Sequence, residues 1–264
     1  MNGTDIGKRH DYGTTLLLAG HIVLLFTGFT VLAAVFDFPD VLRLPAPERL
    51  ALFEAGKAVI VPAYWVLAMT GITQVLLTVL LYRTLGAAGT AGLLALVFGI
   101  LTGFGQAMGF GRWAILVPWL AAQMSDPATT EAGREAVALI EGAFNRYAGM
   151  LVGEHLSNIC WGFWLFFTGL SVRRTGLLDD RIGRAMMALS PLMWLLAAEQ
   201  LGFDAPILGL LTDFGFPLLA LIHFALAWQL ARRPQGGTAK PLGAGAAMVG
   251  IVLYMAMIWP AVAG

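Results

Sequence analysis

The sequence predicts an all-α, polytopic membrane protein: a bundle of about seven transmembrane helices with its N-terminus inside and its C-terminus outside. The chain has 264 residues, of which 58% are hydrophobic and 12% are charged, whereas about 25% of an average soluble domain is charged. Its mean hydropathy is +0.77. The apolar residues also form runs of about 20, the length that a helix needs to cross the hydrocarbon core of a bilayer. These observations exclude an ordinary soluble domain.

Seven apolar runs define the predicted spans, and we treat residues 1–264 as one transmembrane domain. The spans are 14–36, 58–82, 91–111, 148–172, 182–201, 206–231 and 243–262. An amphipathic segment at about 127–147 precedes the fourth span, because apolar residues from Val137 to Tyr147 recur there at helical spacing. This segment either lies on the outer face of the membrane or extends the fourth span.

The orientation follows from the positive charges, which favour the cytoplasmic connections of membrane proteins. With the N-terminus inside, most Lys and Arg residues fall on the inner side, at positions 8, 9, 83, 173, 174, 181, 184, 232, 233 and 240. The first run is too long for a signal peptide and serves as the first helix. We therefore expect a multi-pass protein of the cell inner (plasma) membrane. Its partner is the lipid bilayer, and the balanced charges give no basic surface for nucleic acid.

The third span carries glycines at the spacing that lets helices approach closely. They form two pairs, Gly99 with Gly103 and Gly105 with Gly109. Such pairs either pack helices within one chain or form the face of a homo-oligomer.

Polar residues inside the predicted spans are costly, so each needs a structural or functional reason. The fourth span contains Gly153-Glu154-His155-Leu156-Ser157-Asn158, a polar arc at the outer depth of the membrane. Further polar groups fall at a similar depth on other helices. The predicted ligand-binding residues are Arg112, Glu154, His155, Asn158, Glu199 and Asp213. The alternative is a structural ion-pair network in which Arg112 pairs with Glu154, Glu199 or Asp213.

Histidines within the spans suggest cofactor chemistry only weakly. His21 and His223 share an inner depth and could be the axial ligands of a haem. They could equally be hydrogen-bonded core residues or part of a proton path. A zinc site at His155 lacks the usual spacing of metal ligands. No metal site, catalytic residue or cofactor is assigned from the sequence.

Three stretches of the chain resemble a bacterial family of multi-pass membrane proteins, domain of unknown function 4386. They are Gly109-Phe110-Gly111-Arg112-Trp113 with Val117-Pro118-Trp119, Phe144-Asn145-Arg146-Tyr147 continuing to Gly153-Glu154-His155, and Arg173-Arg174-Thr175-Gly176. The resemblance covers about residues 10 to 230. It implies a bacterial multi-pass membrane protein and no particular activity. A histidine is common in the family where Asn145 stands, and this departure weakens a metal role.

The leading functional hypothesis is a protein that binds a small molecule or lipid in an outward-facing polar pocket. In it, Arg112 holds an anionic group, while Glu154 and His155 form a proton-sensitive pair. Three alternatives stay open: an intramembrane enzyme that depends on metal or haem, a proton-coupled transporter, and a structural or assembly subunit.

Overall fold

The structure is a computed structural model that describes two segments of strand and most of the helical chain. The described residues are 9–10, 12–85, 89–202, 206–232 and 234–235, with side chains for 13–85, 89–202 and 215–232. The seventh predicted span, 243–262, and the side chain of Asp213 lie outside this range.

The described chain is almost entirely helical, as predicted. Its helices are α1 (Tyr12–Phe36), a 3₁₀ helix (Asp40–Arg43), α2 (Ala46–Thr84), α3 (Gly89–Ser125), α4 (Glu131–Phe144), a π-helix (Asn145–Leu156), α5 (Ser157–Thr175), α6 (Asp180–Glu199) and α7 (Pro206–Arg232). Two short strands, β1 (Arg9–His10) and β2 (Pro234–Gln235), form an antiparallel pair.

Four helices in the described range are long and apolar enough to cross a membrane. They are Gly13–Phe36, Ala46–Thr84, Gly89–Ser125 and Gly215–Arg232. Most of the fourth and fifth predicted spans falls in α5 and α6, and these two helices are not among the four. The membrane character of the chain is therefore supported, while the count of seven spans and the orientation stay predictions.

Helix α2 is longer than a membrane is thick. Its 39 residues extend about 58 Å at 1.5 Å per residue, against a hydrocarbon core of about 30 Å. Four charged residues, Glu48, Arg49, Glu54 and Lys57, all lie in its first third, so we expect that part to project beyond the apolar layer. We call this end of the bundle, where α1 ends and α2 begins, the distal end.

An aromatic cluster fixes the helices at the distal end. The rings of Tyr64 on α2 and Trp113 on α3 stack with centroids 4.8 Å apart, and Phe36 at the end of α1 meets Trp113 edge-on at 5.3 Å. Phe53 packs against both Phe36 and Trp113. All four rings are buried, and their large apolar area holds α1, α2 and α3 together.

The segment predicted as amphipathic, 127–147, contains a turn and then α4. Thr130 caps α4 by accepting a hydrogen bond from the Gly133 backbone, as N-cap residues do. The backbone stays helical through Phe144 and Asn145, so α4 leads directly into the π-helix and then α5. This helical run lies antiparallel to α3.

A buried ion pair joins α2 to α4. Arg49 on α2 donates hydrogen bonds through Nε and Nη2 to Glu141 on α4, at 3.0 and 2.5 Å. Its Nη1 donates to the carbonyls of Leu42 and Leu44 at 2.9 and 2.8 Å. The two side chains are 5% and 3% exposed. One guanidinium therefore links α2, α4 and the connection that follows α1.

The four paired glycines of the third span pack against other parts of the same chain. A Cβ atom on Gly99 would meet Thr78 and Trp164, and one on Gly103 would meet α2 at Val75 and at a backbone carbonyl. Gly105 and Gly109 face the π-helix and the start of α5. The faces of α3 that carry these glycines therefore pack against neighbouring helices of the same chain. A homo-oligomer formed through them stays a prediction.

Candidate functional site

Arg112 holds the distal end of α3 to the start of the π-helix. Its Nη2 donates to Asn145 Oδ1 at 2.8 Å, and its Nη1 donates to the Gly109 carbonyl. Gly149 lies one turn along the π-helix, where a Cβ atom would be only 2.7 Å from the guanidinium carbon. A side chain at this position would therefore displace the guanidinium from where it lies.

The π-helix itself is unusual. Its backbone forms wide turns with i to i+5 hydrogen bonds, and such segments are rare and frequently occur at functional sites. It runs for 12 residues and carries Glu154 and His155 near its end. Gly153 lies against Gly109 of α3, where a Cβ atom would be 2.8 Å from the opposing Cα. The π-helix is therefore held tightly on α3 beside Arg112.

The two carboxylates of the predicted site whose side chains the structure describes, those of Glu154 and Glu199, do not pair directly with Arg112. Glu154 accepts a hydrogen bond from the Gln200 amide, and Glu199 lies 3.5 Å from Arg43 in an exposed ion pair. Arg112 and Glu154 are within electrostatic range of each other but form no ion pair. Where the sequence favours a carboxylate, the structure places Asn145 against Arg112, because the π-helix turns Asn145 and Gly149 towards α3.

His155 faces α6. Its Nδ1 lies 2.8 Å from the Ala197 carbonyl. Since a carbonyl only accepts, this nitrogen carries a proton, and in the neutral ring Nε2 is an acceptor. Glu154 and His155 thus both engage the end of α6, through Gln200 and Ala197.

An open groove separates α5 from α6 next to His155. We call it the α5–α6 groove. It is lined by His155, Ile159, Phe163, Trp194, Ala197, Ala198 and Leu201. Phe163 and Trp194 form its floor, with ring centroids 5.0 Å apart, and the Trp194 N–H donates to the Ile159 carbonyl at 3.2 Å. The groove is therefore apolar along its length and polar at its distal end.

The remaining predicted residues are less closely connected to this cluster. Asn158 is half-buried one turn beyond Glu154 and forms no side-chain hydrogen bond within the described chain. Asp213 lies on α7, with a side chain outside the described range. The structure thus places Arg112, Glu154, His155 and Glu199 at the distal end. Glu154 and His155 are hydrogen-bonded to the end of α6, whereas Arg112 is bonded to α3 and the π-helix.

Two buried oxygens near this cluster lack partners among the described residues. They are the Tyr64 hydroxyl and Gln106 Oε1, on side chains that are 1% and 6% exposed. An unsatisfied buried polar group costs about 1–3 kcal/mol. The distal interior therefore offers two unused hydrogen-bonding positions on α2 and α3.

The two histidines weighed as haem ligands are buried core residues. His21 Nδ1 lies 2.7 Å from the Thr73 hydroxyl, which itself donates to the Thr70 carbonyl. His223 Nδ1 donates to the Leu219 carbonyl at 2.7 Å, and Trp164 stacks on the ring. Each ring thus has one hydrogen-bond partner through Nδ1, whereas His223 Nε2 is buried without a partner among the described residues. Haem ligation stays an untested alternative. Across the described residues, no three His, Cys, Asp or Glu side chains are grouped as a metal site.

Several polar contacts were not predicted from the sequence. Asn145, Gln200 and the Arg49–Glu141 pair each join residues more than 30 positions apart. The sequence marks each residue as polar in an apolar chain, but the pairing depends on how the helices are arranged.

Comparison with known proteins gives one finding. No curated protein and no solved structure matches the chain. The family described as Domain of unknown function (DUF4386) matches residues 13–231, which include the described membrane-type helices except Arg232, and also Arg112, Glu154, His155 and Glu199. The chain therefore belongs to the DUF4386 family of proteins of unknown function.

Proposed function

We propose that this protein binds a small molecule or lipid at its distal end, in a site formed by the polar cluster and the α5–α6 groove. The observation that carries the proposal is the position of His155 and the Glu154–Gln200 pair at the distal end of an apolar groove. Polar groups at one end of an apolar groove suit an amphiphile, because the headgroup and chain each meet matching surface.

In this proposal the six residues have different roles. His155 and Glu154 contact the headgroup, with Asn158 and Glu199 on either side and Asp213 on the neighbouring α7. Arg112 is a positioning residue, because its hydrogen bonds to Asn145 and Gly109 hold the π-helix that carries Glu154 and His155.

The membrane arrangement is part of the same proposal. We infer seven spans in one domain, with the N-terminus inside, in the plasma membrane of a bacterium. The distal end then faces outward. The positive charges of the Arg173–Arg184 connection, at the opposite end of α5 and α6, support this orientation. The α5–α6 groove then opens to the outer leaflet.

The test is lipid retention measured by native mass spectrometry after purification in mild detergent. Ala198→Phe fills the groove and is expected to remove a lipid adduct that wild-type protein retains. Ala34→Phe is the matched control, because Ala34 is exposed near the distal end of α1, outside the groove. Equal adducts in all three proteins, or none in wild type, would show that the groove is not a binding site.

A further inference from the structure

The walls of the α5–α6 groove are suited to a hydrocarbon chain. The indole N–H of Trp194 is already used by the Ile159 carbonyl, so the ring presents only apolar surface. The Trp194 ring can occupy this position because residue 162 is a glycine, since a Cβ atom on Gly162 would overlap the ring. Leu201, beside the distal end of the groove, is 68% exposed, and the groove opens to the surroundings of the bundle.

The group available to a ligand headgroup at the distal end of the groove is a hydrogen-bond acceptor. Because His155 Nδ1 donates to Ala197, Nε2 is the remaining acceptor of the neutral ring, and His155 lines the groove. No described residue donates to this nitrogen. A ligand with a hydrogen-bond donor supplies what the site lacks.

The charges around His155 disfavour an anionic headgroup. Glu154 precedes it in the chain, and Glu199 lies two residues beyond its partner Ala197. The nearby cations are engaged elsewhere: Arg43 pairs with Asp40 at 2.6 Å and with Glu199, and Arg112 is directed to Asn145. Neither arginine is therefore free to pair with a phosphate at the groove end, and the carboxylates of Glu154 and Glu199 add no positive charge there.

We propose that the α5–α6 groove binds an amphiphile with an uncharged hydroxyl headgroup, such as a monoacylglycerol or a long-chain alcohol. The hydroxyl donates to His155 Nε2, and the chain lies on Phe163 and Trp194. This inference rests on the proposed function and adds the chemical class of the ligand.

Quenching of tryptophan fluorescence by brominated chains tests the class directly. The protein is reconstituted in phosphatidylcholine vesicles containing either brominated monoacylglycerol or brominated phosphatidylglycerol. The quenching of Trp194 is obtained by subtracting the fluorescence quenching of Trp194→Phe from that of wild type. Ala198→Phe, which keeps every tryptophan, gives a second measure of the groove signal if Trp194→Phe does not fold.

We expect half-maximal quenching at an about fivefold lower mole fraction of monoacylglycerol than of phosphatidylglycerol, which is the scale of one net hydrogen bond. His155→Phe is expected to remove this preference. Equal or stronger quenching by phosphatidylglycerol would overturn the headgroup class and leave amphiphile binding intact. Quenching by neither lipid beyond the level of Ala198→Phe would overturn the proposed function as well.

Discussion

Glu141→Leu is expected to lower the free energy of unfolding by about 3–5 kcal/mol, because it leaves the buried Arg49 guanidinium without its charged partner. Arg49 is 4% exposed, so water cannot replace the lost carboxylate. Two carbonyls still accept from Nη1, but the charge stays uncompensated. Thermal unfolding in detergent measures the effect, as a fall in melting temperature on the order of 10 °C.

The double variant Arg49→Met with Glu141→Leu separates a lost interaction from an unpaired charge. Apolar residues of similar volume often replace a buried ion pair at little cost, so we expect the double variant to recover most of the stability. Asp180→Asn is the control for charge removal as such. Asp180 pairs with Arg173 and Arg184 on the surface, where such pairs contribute little. Equal losses in Glu141→Leu and Asp180→Asn would contradict the burial of the first pair.

Gly109→Ala is expected to separate α3 from the π-helix. The new Cβ atom would lie 2.7 Å from the Gly153 Cα, and neither backbone can rotate away as a side chain can. Overpacking of this kind costs about 1–3 kcal/mol. We expect a lower melting temperature and, since Glu154 and His155 follow Gly153, weaker ligand retention.

Gly111→Ala is the matched control on the same helix. No atom lies within 4 Å of a Cβ at Gly111, and alanine favours a helix over glycine by about 1 kcal/mol. This variant should therefore be as stable as wild type or more stable. If both alanine variants change stability in the same direction, the close contact between Gly109 and Gly153 is not formed in the protein.

The described helices were largely predictable, because apolar runs about 20 residues long are hard to interpret otherwise. The sequence also indicates that Gly109 lies at a helix contact, since small residues four apart allow close approach. It does not indicate which helix Gly109 contacts. That depends on Gly153, which is 44 residues away and lies in a π-helix that hydrophobic periodicity does not predict.

The candidate site was predictable as a set of residues and not as a set of contacts. Arg112, Glu154 and His155 are conspicuous because charged and polar groups are costly in apolar segments. Arg112 is paired with the side-chain amide of Asn145, and Glu154 is paired with that of Gln200. His155 is paired with a backbone carbonyl. Charge pairing alone favours carboxylates for Arg112, and the amides become partners only because the π-helix and α6 bring them close.

The most direct test of amphiphile binding is a structure of the protein in lipid nanodiscs by cryo-electron microscopy. The proposal predicts ordered, elongated density in the α5–α6 groove, running over Phe163 and Trp194 and ending in contact with His155 Nε2. The same density should be missing from Ala198→Phe. If the density in the groove of the wild-type protein is no better ordered than that of the surrounding lipid, the proposal is contradicted.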